Sequence, residues 1–275
     1  MQETTDTTGI RGLDGQIAVI TGGGQGIGCA VALAFAQAGA TVVIADLRLD
    51  LANEVERAIV AAGGIALACE ADVADPASVV ALFARAVDRF GRIDLLVNNA
   101  GICPVTRFPD LDIDLWRRVF AVNVEGPLLT MRQAAAIMAG QSPHHISGCR
   151  GKIINVSSPA AEVGRPSLAA YGASKAALNH LSKTSALVLE GQLISTTVLY
   201  PGSVLGPLWE ALLPDLEAVE GRDAAHILAE RAAGMPNGRF QLPDEIAAMA
   251  LYIAGHTGMG LNGKLVWSEA HVASL

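Results

Sequence analysis

The sequence has no surplus of positive charge. Its 275 residues carry 27 acidic and 19 basic side chains, a formal charge of −8, with no long Lys/Arg run. That argues against a nucleic-acid partner, which needs a basic surface to neutralise phosphates. Cysteine is sparse: Cys29, Cys69, Cys103 and Cys149 lie far apart and form no C-x-x-C pair. Neither a disulfide framework nor a zinc site is expected, and a reducing cytoplasm is the expected compartment. His144-His145 have no third ligand in sight, so no metal is expected. Met1 to Gln16 is polar and lacks a basic segment followed by an apolar one, so no signal peptide is expected there. One apolar window, Gly26 to Ala45, has only Gln37 and Thr41 as clearly polar residues. It is mostly alanine, holds Gly39 and ends in the β-branched run Thr41-Val42-Val43-Ile44, which fits a helix, a turn and a buried strand better than a membrane span. No repeat and no linker divides the chain. The expectation is a loose tail over residues 1–12 and one domain over 13–275, and the 51% hydrophobic content gives that domain a large core.

What is present alternates. Gln16 to Thr21 is a short apolar strand, and it runs through Gly22-Gly23-Gly24-Gln25-Gly26-Ile27-Gly28 into an Ala/Leu helix. A strand, a glycine-rich turn and a helix set a pyrophosphate on a helix N-terminus, where any Cβ would hold the phosphates off the backbone N–H groups. Thr41 to Ala45 is the next strand, closed by Asp46 about where an acid meets the ribose 2′-hydroxyl of an adenosine. Such a carboxylate repels a 2′-phosphate, and Gln25 and Leu47 add no positive charge, so NAD is expected over NADP; Arg48 is the residue that could reverse this. Further strands are read over Ile65 to Ala71 (ending at Asp72-Val73), Ile93 to Val97 (ending at Asn98-Asn99-Ala100-Gly101), Gly151 to Val156 (ending at Ser157-Ser158-Pro159), Leu193 to Leu199 and Gly263 to Trp267. Helices are read over Leu49 to Ala62, from Asp75-Pro76 to Phe90, over Ile113 to Ala139 with Asn123 inside it, and from Pro243. The segment 141–150 reads as an exposed loop. The segment 203–242, less regular, reads as a lid. Alternation with short connections predicts an α/β fold: a doubly wound parallel sheet, Rossmann-like, with helices on both faces and ligands at the carboxyl ends of the strands.

Tyr171 and Lys175 lie four apart at the start of an Ala/Leu helix, so they share one face. A free phenol has a pKa of about 10, and a neighbouring ammonium favours the tyrosinate and makes it a better proton shuttle. The same spacing also occurs on ordinary surface helices, and only the segments upstream give it weight.

Taken together, Thr21-Gly22-x-x-x-Gly26-Ile27-Gly28, Asp72, Asn98-Asn99-Ala100-Gly101, Asn123, Ser158, Tyr171-x-x-x-Lys175 and Pro201-Gly202 resemble the short-chain dehydrogenase/reductase family from about Leu13 to Trp267. The resemblance implies an enzyme that moves a hydride between NAD(H) and a secondary alcohol or ketone. It implies Tyr171 as general acid/base, Lys175 to lower its pKa and hold the nicotinamide ribose, Ser158 on the substrate oxygen and Asn123 holding a water. It implies a cofactor set of Gly22, Gln25, Gly26, Ile27, Gly28, Asp46, Leu47, Asp72, Val73, Asn99, Ala100, Gly101, Tyr171, Lys175, Pro201, Gly202 and Val204. It also implies a homotetramer built on the Tyr171 helix, through Ala176, Ala177 and Leu181, and the helix before it. Pro201-Gly202-Ser203-Val204 with Trp209 looks like the family's polyol and acetoin dehydrogenases. Three features depart from the family pattern: Gly206 stands where a threonine would hold the carboxamide, Trp267-Ser268-Glu269-Ala270 replaces an acidic Gly-Gly ending, and the strand before Pro201 lacks an Asn. A 3-oxoacyl-thioester reductase of the same family is the alternative, disfavoured by Asp46 and the acidic balance. A non-catalytic dinucleotide-binding scaffold is disfavoured because all four catalytic positions are intact.

Overall fold

In the computed structural model, residues 12–268 apart from Pro236 are described. The tail expected over 1–12, Gly12 excepted, and Glu269-Ala270 lie outside them. Strand β1 (Ile17–Thr21) pairs in parallel with β2 (Thr41–Asp46) on one side and β4 (Leu95–Asn98) on the other; β3 (Ile65–Glu70) lies outside β2, and β5 (Gly151–Val156), β6 (Ile194–Tyr200) and β7 (Leu265–Trp267) follow β4. The strand order β3-β2-β1-β4-β5-β6-β7 reverses direction between β1 and β4. A crevice opens at such a switch point, outside the carboxyl ends of the strands.

The strand sequences dictate two-sided burial. Along β1, Ala18 and Ile20 face one helix layer while Ile17 and Val19 face the other, the period of two that a pleated strand imposes. The first layer contains α1 (Gly26–Gln37), α2 (Leu49–Ala61) and α9 (Pro243–Gly255), whose Phe35, Ile59 and Ile253 are buried against the sheet. The second contains α3 (Pro76–Phe90) and α5 (Gly126–Gly140), through Phe83, Met131 and Met138. Asp75 caps α3 by accepting from the N–H groups of Ala77 and Ser78, with Pro76 at the first helical position, where its missing N–H costs nothing.

Three expectations need correction. The helix read over Ile113 to Ala139 is broken: α4 (Ile113–Phe120) passes into a π turn over Ala121–Glu125 before α5 begins. The Gly126 N–H donates to Ala121 O five residues back, and Pro127 has no N–H to close an α-type bond on the Asn123 carbonyl. The segment 141–150 is a loop but only partly exposed. His144, Ser147 and Cys149 are buried, because Gly258 N donates to Ser147 O (2.8 Å) and the Cys149 thiol to Gly258 O (3.2 Å). The segment 203–242 is largely helical, forming α7 (Pro207–Glu220) and α8 (Ala224–Ala233). Pro214 sits inside α7, and Leu212, Leu216 and Ile227 are buried where the two helices pack beside Cys103.

Candidate active site

A cleft of about 960 Å³ runs along the carboxyl ends of the strands. Of the residues assigned from sequence, Gly22, Gln25, Gly26, Ile27, Asp46, Leu47, Asp72, Val73, Asn99, Ala100, Gly101, Ser158, Tyr171, Lys175, Pro201, Gly202 and Val204 line it, together with Arg48. Gly28 and Asn123 lie behind that lining, and both hold it in shape.

The glycine turn is built for close approach. Gly22 and Gly26 have φ of 61° and 54°, in the left-handed region that favours glycine. A Cβ on Gly28 would lie 2.1 Å from Gly22 O, so helix α1 can approach β1 this closely only without a side chain there. Gln25 precedes α1 and makes no side-chain cap, which leaves the first N–H groups of the helix without a side-chain acceptor. Asn99 pins the turn from β4: its side-chain amide donates to Gly22 O (2.9 Å) and Thr21 O (3.2 Å). The Thr21 hydroxyl in turn accepts from Asn99 N and Ala100 N, each at 3.2 Å.

At the end of β2, Asp46 is buried and accepts from Gly24 N (2.9 Å) and Arg48 N (3.0 Å). These bonds tie the acid to the glycine turn and aim it into the cleft. Asp72 accepts from Ala74 N (2.9 Å) in a tight turn after β3. Val73 supports the π turn, since a Cβ on Gly126 would come within 2.9 Å of its methyl group. On the far side Gln241 fixes the loop after β6: its side-chain oxygen accepts from Gly202 N (2.9 Å), and its backbone bonds Ser203 O (2.8 Å) and Leu205 N (2.9 Å). Gly206 has φ 144°, a conformation in which threonine is strained, so its presence there agrees with the local backbone.

The chemistry-bearing groups meet at the start of α6 (Ala169–Leu189). The Ser158 hydroxyl, just past the end of β5, lines the cleft with the Tyr171 phenol, whose pKa it lowers, and accepts from Ala160 N at 3.2 Å. Lys175 Nζ lies 5.7 Å from the centre of the Tyr171 ring and donates to Val156 O (2.8 Å). Asn123 is fully buried. Its side chain accepts from Ile102 N (2.9 Å), donates to Ile102 O (2.9 Å) and reaches the Ser174 hydroxyl (3.0 Å). The π turn thus uses that side chain to tie the segment after β4 to α6, while Gly101 makes room beside Asn123 and Lys175.

The electrostatics differ from the simple picture of a lysine pulling a phenol down. Burial is the largest influence and pushes the Tyr171 phenol up, the neighbouring Cys103 thiol adds to this, and only the Ser158 hydrogen bond opposes it. Burial also pushes the Lys175 ammonium down, to about 8. Both groups therefore favour their neutral forms more than they would in water.

Sequence reading singled out Trp209 but missed the rest of the wall packed against Tyr171. Cys103, Leu168, Trp209, Leu212 and Leu216 form it, and burial raises the Cys103 thiol to about 12, so it stays protonated. No local pattern marks these positions, because α7 brings its leucines to Cys103 from far along the chain.

A family model described as short chain dehydrogenase matches residues 16–217. The chain is 35% identical over 242 residues to a galactitol 2-dehydrogenase of Agrobacterium fabrum, covering 88% of this chain and 91% of that protein. It is 32% identical over 252 residues to a D-beta-hydroxybutyrate dehydrogenase of Rhizobium meliloti, covering 90% of this chain and 95% of that one. Among solved structures, one from Beutenbergia cavernae, described as an NAD(P)-dependent gluconate 5-dehydrogenase with bound NADP, superposes with a TM-score of 0.82 at 30% identity over 96% of this chain and 99% of that one.

Proposed function

The chain belongs to the short-chain dehydrogenase/reductase family and is an oxidoreductase acting on CH–OH groups with a nicotinamide dinucleotide; from that premise we propose that its cofactor is NAD and that Tyr171, Lys175, Ser158 and Asn123 are its catalytic set. The observation that carries the assignment is that Ser158, Tyr171 and Lys175 line the same cleft as the glycine turn, with Lys175 Nζ 5.7 Å from the centre of the Tyr171 ring. When bound, NAD supplies a ring that takes a hydride from the alcohol carbon or returns it to the ketone. This chain's own residues handle the proton and the geometry. Ser158 and Tyr171 hold the substrate oxygen between them. In ketone reduction Tyr171 gives that oxygen its proton, a role suited to a phenol kept protonated by burial. In alcohol oxidation Tyr171 takes the proton, and the Lys175 ammonium stabilises the tyrosinate that has to form. Lys175, with a pKa near 8, can itself exchange a proton near neutrality.

The cleft fits the cofactor. The turn at Gly22 and Gly26 and the uncapped start of α1 would hold a pyrophosphate, and Asp46 would accept from a ribose diol. The B. cavernae structure holds NADP at low occupancy; in this chain Asp46 is buried at the end of β2, and a buried carboxylate disfavours a 2′-phosphate. Helices α7 and α8 act as the lid over residues 203–242. Free thiols on all four cysteines support a cytoplasmic location, and among the described residues no helix is long and apolar enough to cross a membrane. Nicotinamide absorbance on mixing with secondary alcohols is the direct test. Turnover with NAD should exceed that with NADP by about tenfold or more, the effect of about 1.4 kcal/mol; equal or better use of NADP would refute the preference and implicate Arg48.

A homotetramer through α5 and α6 is part of the same proposal. Leu187 and Val188 are 78% and 66% exposed on α6 and Leu128 is 38% exposed on α5, so these helices still carry uncovered apolar area. Light scattering at micromolar concentration should give four times the 28.4 kDa chain mass. A clean monomer would refute it.

A further inference from the structure

We propose that Arg165 selects substrates bearing a carboxylate, so that the alcohol oxidised here is a hydroxy acid with an apolar body rather than a sugar alcohol. The inference rests on the hydride-transfer reading of the site and adds a substrate class to it.

The first observation is an accounting of charge along the cleft. Arg231 is paired with Glu220 at 3.3 Å, and Glu230 is paired with Arg222. Asp46 is engaged by two backbone N–H groups, and Lys175 is turned to Val156 O. Arg165 lines the same cleft, is exposed, and carries no ion pair or side-chain hydrogen bond among the described residues. Its backbone is fixed: its carbonyl accepts from Leu168 N (3.0 Å) in the turn that starts α6, and Pro166 follows it. The Arg165 backbone is thus held on the segment between Ser158 and Tyr171, with its guanidinium free beside the cleft. Arg48, the other unpaired guanidinium of the cleft, sits at the end of β2. That strand is three places from β5 in the sheet, roughly 14 Å at about 4.8 Å per strand. A guanidinium is the side chain best shaped to grip a carboxylate in two parallel bonds.

The second observation is the chemistry of the wall. Cys103, Leu168, Trp209, Leu212 and Leu216 pack together around Tyr171, and apart from the Trp209 ring N–H and the protonated thiol they offer no hydrogen-bonding group. A sugar alcohol would bury several hydroxyls there with few partners, which a site of this kind penalises. A hydrocarbon segment suits it, with its reacting hydroxyl on Ser158 and Tyr171 and a carboxylate reaching Arg165. The similarity to a galactitol dehydrogenase holds for the family chemistry; the selecting contacts come from the α7 wall and Arg165.

The test uses methyl carbinols of increasing chain length ending in a carboxylate, each beside its methyl ester, with sorbitol as the polyol. For the best chain length the wild-type kcat/KM should favour the acid over the ester by about 10- to 100-fold, the range of a charge-assisted hydrogen bond. Sorbitol should be poorer than either. In Arg165→Gln the acid-to-ester ratio should fall toward one through a higher KM for the acid, and Arg165→Lys should restore part of it. Equal use of acid and ester by the wild type, better use of sorbitol, or an unchanged ratio in Arg165→Gln would each overturn the proposal while leaving hydride transfer intact. No turnover of any of these alcohols would overturn the hydride-transfer reading, and this inference with it.

Discussion

Tyr171→Phe is expected to lower hydride transfer by about 10²- to 10⁴-fold, the contribution of a positioned proton donor, while leaving a folded protein. The ring stays in its contacts beside Cys103 and Trp209, and Ser158 keeps its bond from Ala160 N. What goes is one hydroxyl, the group proposed to exchange a proton with the substrate oxygen. NAD affinity should change little. If Tyr171 were only a packing residue, the loss would appear in thermal unfolding and turnover per folded site would survive. The decisive pair of measurements is kcat per active site and the unfolding temperature, with and without NAD. A folded variant retaining more than about a tenth of wild-type turnover would contradict the assignment.

Lys175→Met is expected to abolish most activity and at the same time raise the stability of the cofactor-free protein. Lys175 is buried, with its ammonium pushed down from 10.5 to about 8. In the unfolded chain it is fully charged at neutral pH, so folding works against its protonation, at a cost of about 3 kcal/mol. Methionine removes that cost and loses one hydrogen bond to Val156 O, worth about 1 kcal/mol, so a net gain of about 2 kcal/mol remains. The sign with pH follows from linkage. Between about 8 and 10.5 the unfolded state binds more proton than the folded one, so wild-type stability rises with pH through that window. The advantage of the methionine variant should therefore be largest at neutral pH and vanish above 10.5. Thermal unfolding of both proteins across this range checks it; a variant less stable at neutral pH would show that the ammonium is stabilised in the fold rather than strained.

The strand ends were legible because each is a short apolar run closed by Gly, Asp or Asn, and a parallel sheet buried on both faces needs such runs. Strands Gly151–Val156 and Thr41–Asp46 emerge at or within one residue of the bounds read from sequence. The glycine turn, Asp46 and the Tyr171 helix were legible for a related reason: their spacing within a few residues carries the geometry. The π turn was not, because what frees Asn123 is Pro127 combined with a bond to Ile102, and the second of these is a long-range contact. Helices α7 and α8 were obscured by Pro214, which makes the stretch read as irregular; Pro207 begins α7, Gly221 ends it, and burial of Leu212 and Leu216 holds it together. The partial burial of the 141–150 segment is hidden by its polar composition, which says nothing of the partner that Gly258 supplies. The effect of Lys175 on Tyr171 was overstated because a sequence shows proximity but not dehydration.

The pinning of the glycine turn by Asn99 also fixes when the site can form. Ala18 pairs with Leu95, and the bonds that hold Thr21 and Gly22 in place come from Asn99. A ribosome delivers roughly 5–20 residues per second, so the turn emerges some 4–15 s before the segment that shapes it. Over that interval β1 can pair with β2 alone, with its other edge open. Parallel pairings between such distant residues are slow to close and leave strands exposed meanwhile. The proposed dinucleotide site is thus a late product of synthesis, and a chain halted before β4 has the glycine motif without the bonds that shape its turn.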